Sequence, residues 1–501
     1  LDQGAGPFRA EVDVDFSRFR EALRQAGYTM SAVAGAYCLS QTQGDLDRDY
    51  ALRRLPAWTP FATLVRLFAL AGEVPLELAE SALAPMPVAP LVDAGLLRVS
   101  GQRVYAVATL LPYEDLFFAH DHCRELTGAP LPSHHVVGAG RASLRLAALT
   151  RRRRVASAVD IGTGSGFQAV LAAKHAERVL ATDLNPRALN FTQFNARLNG
   201  LPNVETARGS LFEPIRGRQF DLIVANPPYV ISPDTDLLFR DGGQPGDAIS
   251  RQTVEGVARH LNEGGFGSII CNWCHDEPDQ WSTPPLRWLQ NAGCDVWIIR
   301  IATQDRLNYA VTWLRGDRSN DETSYSAKID SWLEYYDRLG VQCVTTGVVI
   351  VRRSSRQPNW SRCDDLEGWD TVLDDCDDQI ARVFAGHDLL RDMDEPTQLL
   401  DYSFALTADH ELVHTQRLEN GQWVTQSARI RQNRGLGFVG NVDSLTAGLL
   451  AQCNGHRSLR ELVLSTSRQL GLDESAIGPR ICQLFASLLR TGFLTVVAQP
   501  S

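Results

Sequence analysis

The sequence predicts an α/β protein, an open and mostly parallel sheet set between two mainly helical outer modules. Three observations carry this reading. Residues 155–352 alternate apolar strand-like runs with helical segments. The first run, "VASAVDI", feeds a turn containing Gly162, Gly164 and Gly166 that opens a helix. The second run, "RVLATD", ends in a carboxylate, Asp183.

The 501 residues allow about three or four domains at roughly 100–200 residues each. The expected order is a helical, winged-helix-like domain at 1–135, the α/β domain at 136–355, an acidic linker with a small β-containing region at 356–440, and a winged-helix-like module at 441–501. No apolar run approaches the ~20 residues that span a bilayer, and no basic stretch leads into a short apolar segment at the start. The default expectation is a cytoplasmic protein without membrane partners. The ten cysteines are scattered, which does not resemble a disulfide scaffold. A formal charge of −10 disfavours a broad nucleic-acid footprint, because such surfaces gather phosphates with basic residues. Arg151–Arg154 is a local exception, read first as a solvated connector.

Within 12–80 the apolar positions recur at helical spacing: Phe16, Phe19 and Leu23, then Phe61, Leu64, Leu67 and Phe68 behind an N-cap at Thr59 with Pro60 at the first helical position. A short helix and a hairpin around Gly101 follow. Its recognition-type segment "PVAPLVDAG" has no Arg or Lys, which argues against reading DNA. His134 and His135 sit in a connector and are read as ordinary loop residues. Seven strands are expected in the α/β region, closing on "VTTGVVIVRR". The aspartates at 364, 365, 374, 375, 377 and 378 read as a solvated face. The C-terminal stretch reads as short strands around "LENGQW", then helices and a terminal strand.

The segment "VDIGTGSGFQAV" holds the strongest local signal. Its glycines allow a tight turn and close approach of the backbone to a ligand. A pyrophosphate-binding turn wants GxGxxG, and Phe167 stands where the third glycine would fall, so a ligand without phosphates fits better. Asp183 can accept from both hydroxyls of a ribose. Cys271 and Cys274 form one CxxC beside His275. A structural zinc site usually needs four ligands, no second pair follows, and no metal is expected.

Together "VDIGTGSG", "ATDLNPRAL" and "DLIVANPPY" resemble the class I S-adenosylmethionine-dependent methyltransferases, especially the HemK/PrmC-like glutamine N5-methyltransferases. The resemblance covers 138–275 well and 276–352 weakly. It implies a Rossmann-like sheet of order 3-2-1-4-5-7-6 with the last strand antiparallel. It implies S-adenosyl-L-methionine against Asp160, Gly162, Thr163, Gly164 and Gly166, with Asp160 orienting the loop or meeting the methionine ammonium. Asp183 would hold its ribose, Ser210 and Leu211 would sit by the adenine, and Leu184 and Asn226 would also line the cofactor. The family commonly has a carboxylate where Ser210 stands, and a hydroxyl accepts more weakly.

The tetrad Asn226, Pro227, Pro228 and Tyr229 would be catalytic. The prolines stiffen the loop. The Asn226 side-chain carbonyl and the Pro227 main-chain carbonyl can both accept from a substrate –NH2, favouring pyramidalisation of a planar nitrogen as it attacks the methyl. Tyr229 can stack on a flat group, and Arg240, Asp241 and Gly242 could form a substrate-side loop. The tetrad serves glutamine amides, adenine N6 and guanine N2, so the leading expectation is an amide of a protein or peptide, engaged by the outer modules. The alternative is an RNA or DNA base. The sequence carries no signal of oligomeric state.

The first expected outcome concerns the ligand. Calorimetry should show S-adenosylmethionine binding and no NAD binding; tight NAD binding without S-adenosylmethionine would overturn the assignment.

Overall fold

The computed structural model describes residues 6–37, 48–315, 322–366 and 373–498. Part of the helical reading of 12–80, residues 38–47, lies outside them. The chain divides into two compact units. The first comprises Leu1–Ala147, Arg152–Ser355 and Ser361–Asp365; the second comprises Ala148–Arg151, Arg356–Trp360 and Leu366–Ser501.

The first unit is built on one sheet. Its strands are β1 (Val155–Ile161), β2 (Ala176–Asp183), β3 (Val204–Arg208), β4 (Phe220–Ala225), β5 (Leu261–His275), β6 (Cys294–Asp305), β7 (Cys343–Arg353) and β8 (Ser361–Asp365). In space they run β3-β2-β1-β4-β5-β7-β6-β8. Strand β7 is antiparallel to β5 and β6, and every other pairing is parallel. The expected order is present, a Rossmann-like class I sheet, with an eighth strand at its edge. Near-continuous burial along β4 and β5 follows from helices on both faces.

The eighth strand lies where the sequence suggested acidic linker. Trp297 Nε1 donates to Asp364 at 2.7 Å, and Arg300 grips Asp365 through two hydrogen bonds of 2.6 and 2.8 Å. The charges that made this stretch look solvated are the ones that pair it to β6. Asp377 and Asp378 begin a helix, Asp377–Arg391, in the second unit, where carboxylates favour the N-terminal end.

Helices α1 (Phe167–Ala173), α2 (Pro186–Leu198), α3 (Ala248–His260), α4 (Arg306–Leu314) and α5 (Glu322–Leu339) connect or cover the strands. Helix α2 is the most firmly placed. Asn185 caps it by accepting from Arg187 N at 3.0 Å, and Pro186 occupies the first turn. The N-terminal segment packs on α2: the Phe8 ring stacks on Phe194 at 3.8 Å and meets Phe191 edge-on at 4.9 Å. Asn190 exchanges two hydrogen bonds with the Phe8 backbone. From the other side, Asn195 binds the backbone of Ala119 both ways and donates to Ser165 O in the glycine turn.

The N-terminal part of this unit is helical, with a three-stranded sheet of Val74–Pro75, Arg103–Ala106 and Leu97–Ser100, and a hairpin of Thr109–Tyr113 with Leu116–His120. Thr59 accepts from Ala62 N at 3.2 Å with Pro60 in the first turn, as the capping pattern predicts.

The second unit centres on Ser403–Leu406, paired with Asn454–Ser458 and Leu494–Ala498. Helices Leu459–Leu470 and Glu474–Arg490 pack over it around Phe404, Leu462 and Phe485. The "LENGQW" stretch forms a long hairpin, His410–Glu419 with Gln422–Gln432, turning at Asn420 and Gly421, both at positive φ. Among the described residues no helix is long and apolar enough to cross a membrane.

Because Phe194 ties the N-terminal segment to α2, Phe194→Ala should cost about 3–5 kcal/mol, read from urea unfolding. A loss below about 1 kcal/mol would show that this contact does not hold the two together.

Candidate active site

Ligands collect beyond the carboxyl ends of strands in an open α/β sheet. At that edge the end of β1 turns through Gly162, Gly164 and Gly166, whose φ values are 71°, 56° and 81°. Side chains are strained there. The three glycines have different neighbours. A Cβ on Gly166 would lie 2.9 Å from Thr192 on α2, so this glycine permits helix packing. A Cβ on Gly164 would meet nothing within 4 Å, so the turn is open there. A Cβ on Gly162 would stand 3.9 Å from Asn226 O and Pro227 Cα. The glycine turn and the tetrad loop are therefore neighbours.

Two carboxylates shape the turn. Asp160 is buried, and its Oδ2 accepts from Thr163 Oγ1 at 2.7 Å and Ala169 N at 3.1 Å. It joins the strand end, the turn and α1, which is the loop-orienting role. Burial pushes its carboxyl up to about 7, against the pull of the Thr163 and Ala169 hydrogen bonds; the nearby Asp183 charge adds to the rise. Asp183 accepts from Gly164 N at 2.9 Å and Asn185 N at 2.8 Å. Burial raises its carboxyl as well. Each Asp183 oxygen keeps a further lone pair, so the group remains able to accept from a ribose.

The expected adenine side lies at the end of β3. Gly209 N donates to Asp183 O at 3.1 Å, bringing that end beside the carboxylate. Leu184 is 53% exposed, an apolar surface next to Asp183. Ser210 is exposed, and Leu211 holds a positive φ of 46°. The carboxylate missing at 210 has a counterpart at Glu213, whose Oε2 accepts from Ser210 N at 3.0 Å. Sequence reasoning missed Glu213 because the turn places it three residues on.

In the tetrad, Pro227 is buried, while Asn226 and Tyr229 are only partly covered. Asn226 Nδ2 donates to Ser143 Oγ at 3.3 Å. Tyr229 packs against two apolar clusters, one around Ile269 and Trp273 and one around Tyr309 and Tyr336. Burial raises its phenol above the usual range, and the Cys271 thiol beside it adds to this. Beyond the tetrad, Val230 N donates to Arg240 O at 3.2 Å, and Gly242 lies so close that a Cβ there would be 2.9 Å from Pro228 O. Arg240 and Asp241 turn toward each other: Arg240 Nε donates to Asp241 at 2.7 Å, and Asp241 also accepts from Ser232 and Leu237 N. They brace the loop behind the tetrad.

Ser143 is a second residue the sequence did not single out. His134 also acquires a place, since its carbonyl accepts from Asn185 Nδ2 at 2.9 Å. The neighbouring Ser133 carbonyl accepts from Leu238 N at 3.1 Å. The connector thus touches both the Asp183 turn and the loop behind the tetrad. No signal in sequence spacing marks such contacts.

The CxxC and its histidine have structural partners. His275 binds Thr345 Oγ1 and Glu277 O, each at 2.8 Å, and Cys271 is buried. No group of three His, Cys, Asp or Glu among the described residues could hold a metal ion. Arg151 pairs with Asp377, Arg152 donates to Ala147 O and Arg153 to Gly264 O, so these three do not form one free basic patch.

Residues 133–279 match the methyltransferase small domain family. This region is similar to HemK-like class I methyltransferases. The flanks match two domain families of unknown function, DUF7059 over 25–107 and DUF7782 over 381–496. The methyltransferase domain is similar to a release factor glutamine methyltransferase of Geobacter sulfurreducens, 38% identical over 133 residues, covering 24% of this chain and 46% of the relative. It is also similar to a ribosomal protein L11 methyltransferase of Lactobacillus helveticus, 35% identical over 116 residues, covering 22% and 36%. The chain spans about half the length, or less, of these curated relatives. Among solved structures, a ribosomal protein L11 methylase of Lactobacillus delbrueckii aligns at 20% identity with a TM-score of 0.26, covering 43% of this chain and 81% of that one.

Two outcomes are expected here. Asp183→Asn should weaken S-adenosylmethionine binding by about 1.5–3 kcal/mol, through loss of charge-assisted hydrogen bonds; an unchanged dissociation constant rules out the ribose role. The second concerns Asp160, whose folded carboxyl titrates near 7, above the ~3.9 of an unfolded chain. The folded state holds this proton more tightly. Its stabilising effect is therefore complete below about pH 4 and lost as pH rises toward 7. Melting temperatures of the ligand-free protein should fall over this range more than those of Asp160→Asn. Parallel profiles would show that Asp160 does not titrate there.

Proposed function

We propose that this chain transfers a methyl group from S-adenosylmethionine to the side-chain amide nitrogen of a glutamine in a protein. The approach of Gly162 to the Asn226–Pro227 backbone carries the reading, because it sets a cofactor turn beside two acceptors suited to an –NH2 group. The names of the curated relatives support a protein glutamine as the acceptor.

The residues fit the cofactor. Asp183 and the open turn at Gly164 are available to a ribose and to the adjoining chain, and exposed Leu184 is available to an adenine face. When bound, S-adenosylmethionine supplies an electrophilic methyl on sulfur. The protein's part is to hold the acceptor nitrogen in line and to favour its pyramidal form, with Asn226 Oδ1 and Pro227 O as acceptors. A neutral amide nitrogen gains positive character as it attacks, and preorganised oxygen dipoles stabilise that change. Recognition of the acceptor protein is assigned to the outer modules, 1–135, which leads directly into the catalytic domain at 136–355, and 441–501, which follows it through 356–440.

Incubation with labelled S-adenosylmethionine and separated bacterial protein, RNA and DNA tests the class of acceptor. Label in protein, released as N5-methylglutamine on digestion, is expected. Label confined to adenine or guanine would replace this reading with base methylation. Asn226→Ala should lower single-turnover transfer by about 10²–10³ while changing cofactor affinity much less. Near-wild-type transfer would refute the role given to Asn226, and equal losses in binding and transfer would move it to the cofactor site.

A further inference from the structure

We propose that Ser143 is a positioning residue, which holds the Asn226 amide so that its oxygen is presented to the acceptor nitrogen. Ser143 lies on the helix Arg141–Ala148, ahead of β1 and outside both the glycine turn and the tetrad. Two contacts meet at this one residue. Its main-chain carbonyl accepts from Gln168 Nε2 at 2.8 Å, and its hydroxyl oxygen accepts from Asn226 Nδ2 at 3.3 Å. Gln168 stands on α1, immediately after the glycine turn, and is only 6% exposed. The Ser143 backbone is thereby tied to the cofactor side while its side chain reaches the catalytic loop.

An asparagine amide has one oxygen acceptor and an –NH2 with two donors. With Nδ2 directed at Ser143 the oxygen is left for an incoming N–H; because a hydroxyl can also donate, Ser143 anchors the side chain in place and the acceptor –NH2 completes the choice of its oxygen. In the reversed orientation an –NH2 would face an –NH2, donor against donor, and the nitrogen could not be held. A methyl group at 143 cannot hydrogen-bond Asn226, so the amide can then rotate between these states. The cost falls on the fraction of encounters with the right alignment, an orientation effect. It does not fall on cofactor binding, which uses Asp183 and the glycine turn.

The inference rests on the reading of Asn226 as the acceptor-side residue, and its test separates the two. Single-turnover transfer to a purified bacterial release factor would be measured for wild type, Ser143→Ala, Ser143→Thr, Asn226→Ala and the double variant Ser143→Ala/Asn226→Ala. Ser143→Ala should be slower by about tenfold, with cofactor affinity and melting temperature close to wild type. Ser143→Thr, which keeps the hydroxyl, should recover most of the rate. In the Asn226→Ala background, Ser143→Ala should have no further effect, because the amide through which it acts is gone. Equal losses in both backgrounds would overturn the positioning role. A measurement free of any acceptor covers the case in which the release factor is not methylated. The side-chain –NH2 resonances of Asn226, assigned by their loss in Asn226→Ala, would be followed in asparagine-labelled protein saturated with S-adenosylhomocysteine. Ser143→Ala should shift them and Ser143→Thr should leave them near the wild-type positions. Unchanged resonances in Ser143→Ala would refute the contact whatever the acceptor proves to be.

Discussion

The site depends on two stretches of main chain coming close together. At Gly162 the end of β1 passes the Asn226–Pro227 backbone at a distance where an added Cβ would already be in van der Waals contact with it. Parallel pairing of β1 with β4, from Ala158 opposite Leu222 to Ile161 opposite Ala225, delivers both segments to the same edge at the same level. A register slip of one residue would face the alternate side chains the other way. The sheet core is thus the ruler that sets the distance between the two loops.

The surroundings then fix each loop from behind. Asp160 sits below the turn and Asn195 reaches it from α2. The tetrad is braced by Arg240 and Asp241 and by Tyr309, whose hydroxyl accepts from Ile231 N at 3.1 Å. Buried polar groups that find partners in this way make a single arrangement more favourable than its neighbours. They give a partly exposed loop a conformation set from its covered side.

Much of this was legible in the sequence. The glycine spacing, Asp183 at the end of β2 and the tetrad after β4 are local patterns, each dictated by what one turn must do. The sheet order followed from resemblance to a family, and β8 is the part that it left out. That strand was hidden because Asp364 and Asp365 read as solvent-facing, whereas their partners Trp297 and Arg300 lie more than sixty residues earlier in the chain. Ser143 and Glu213 went unremarked for a related reason: their contacts are made by folding, and no spacing rule contains those contacts.

The eighth strand has a consequence for how the sheet ends. Strand β6 lies between β7 and β8 over Val296–Arg300. A chain stopped at residue 355 would lack β8 and leave that row of backbone N–H and C=O groups open beside Ile298 and Ile299. Open, apolar edges of this kind recruit strands from other molecules. The short acidic strand takes up that row of backbone groups, and a short, charged strand is itself a poor template for further pairing.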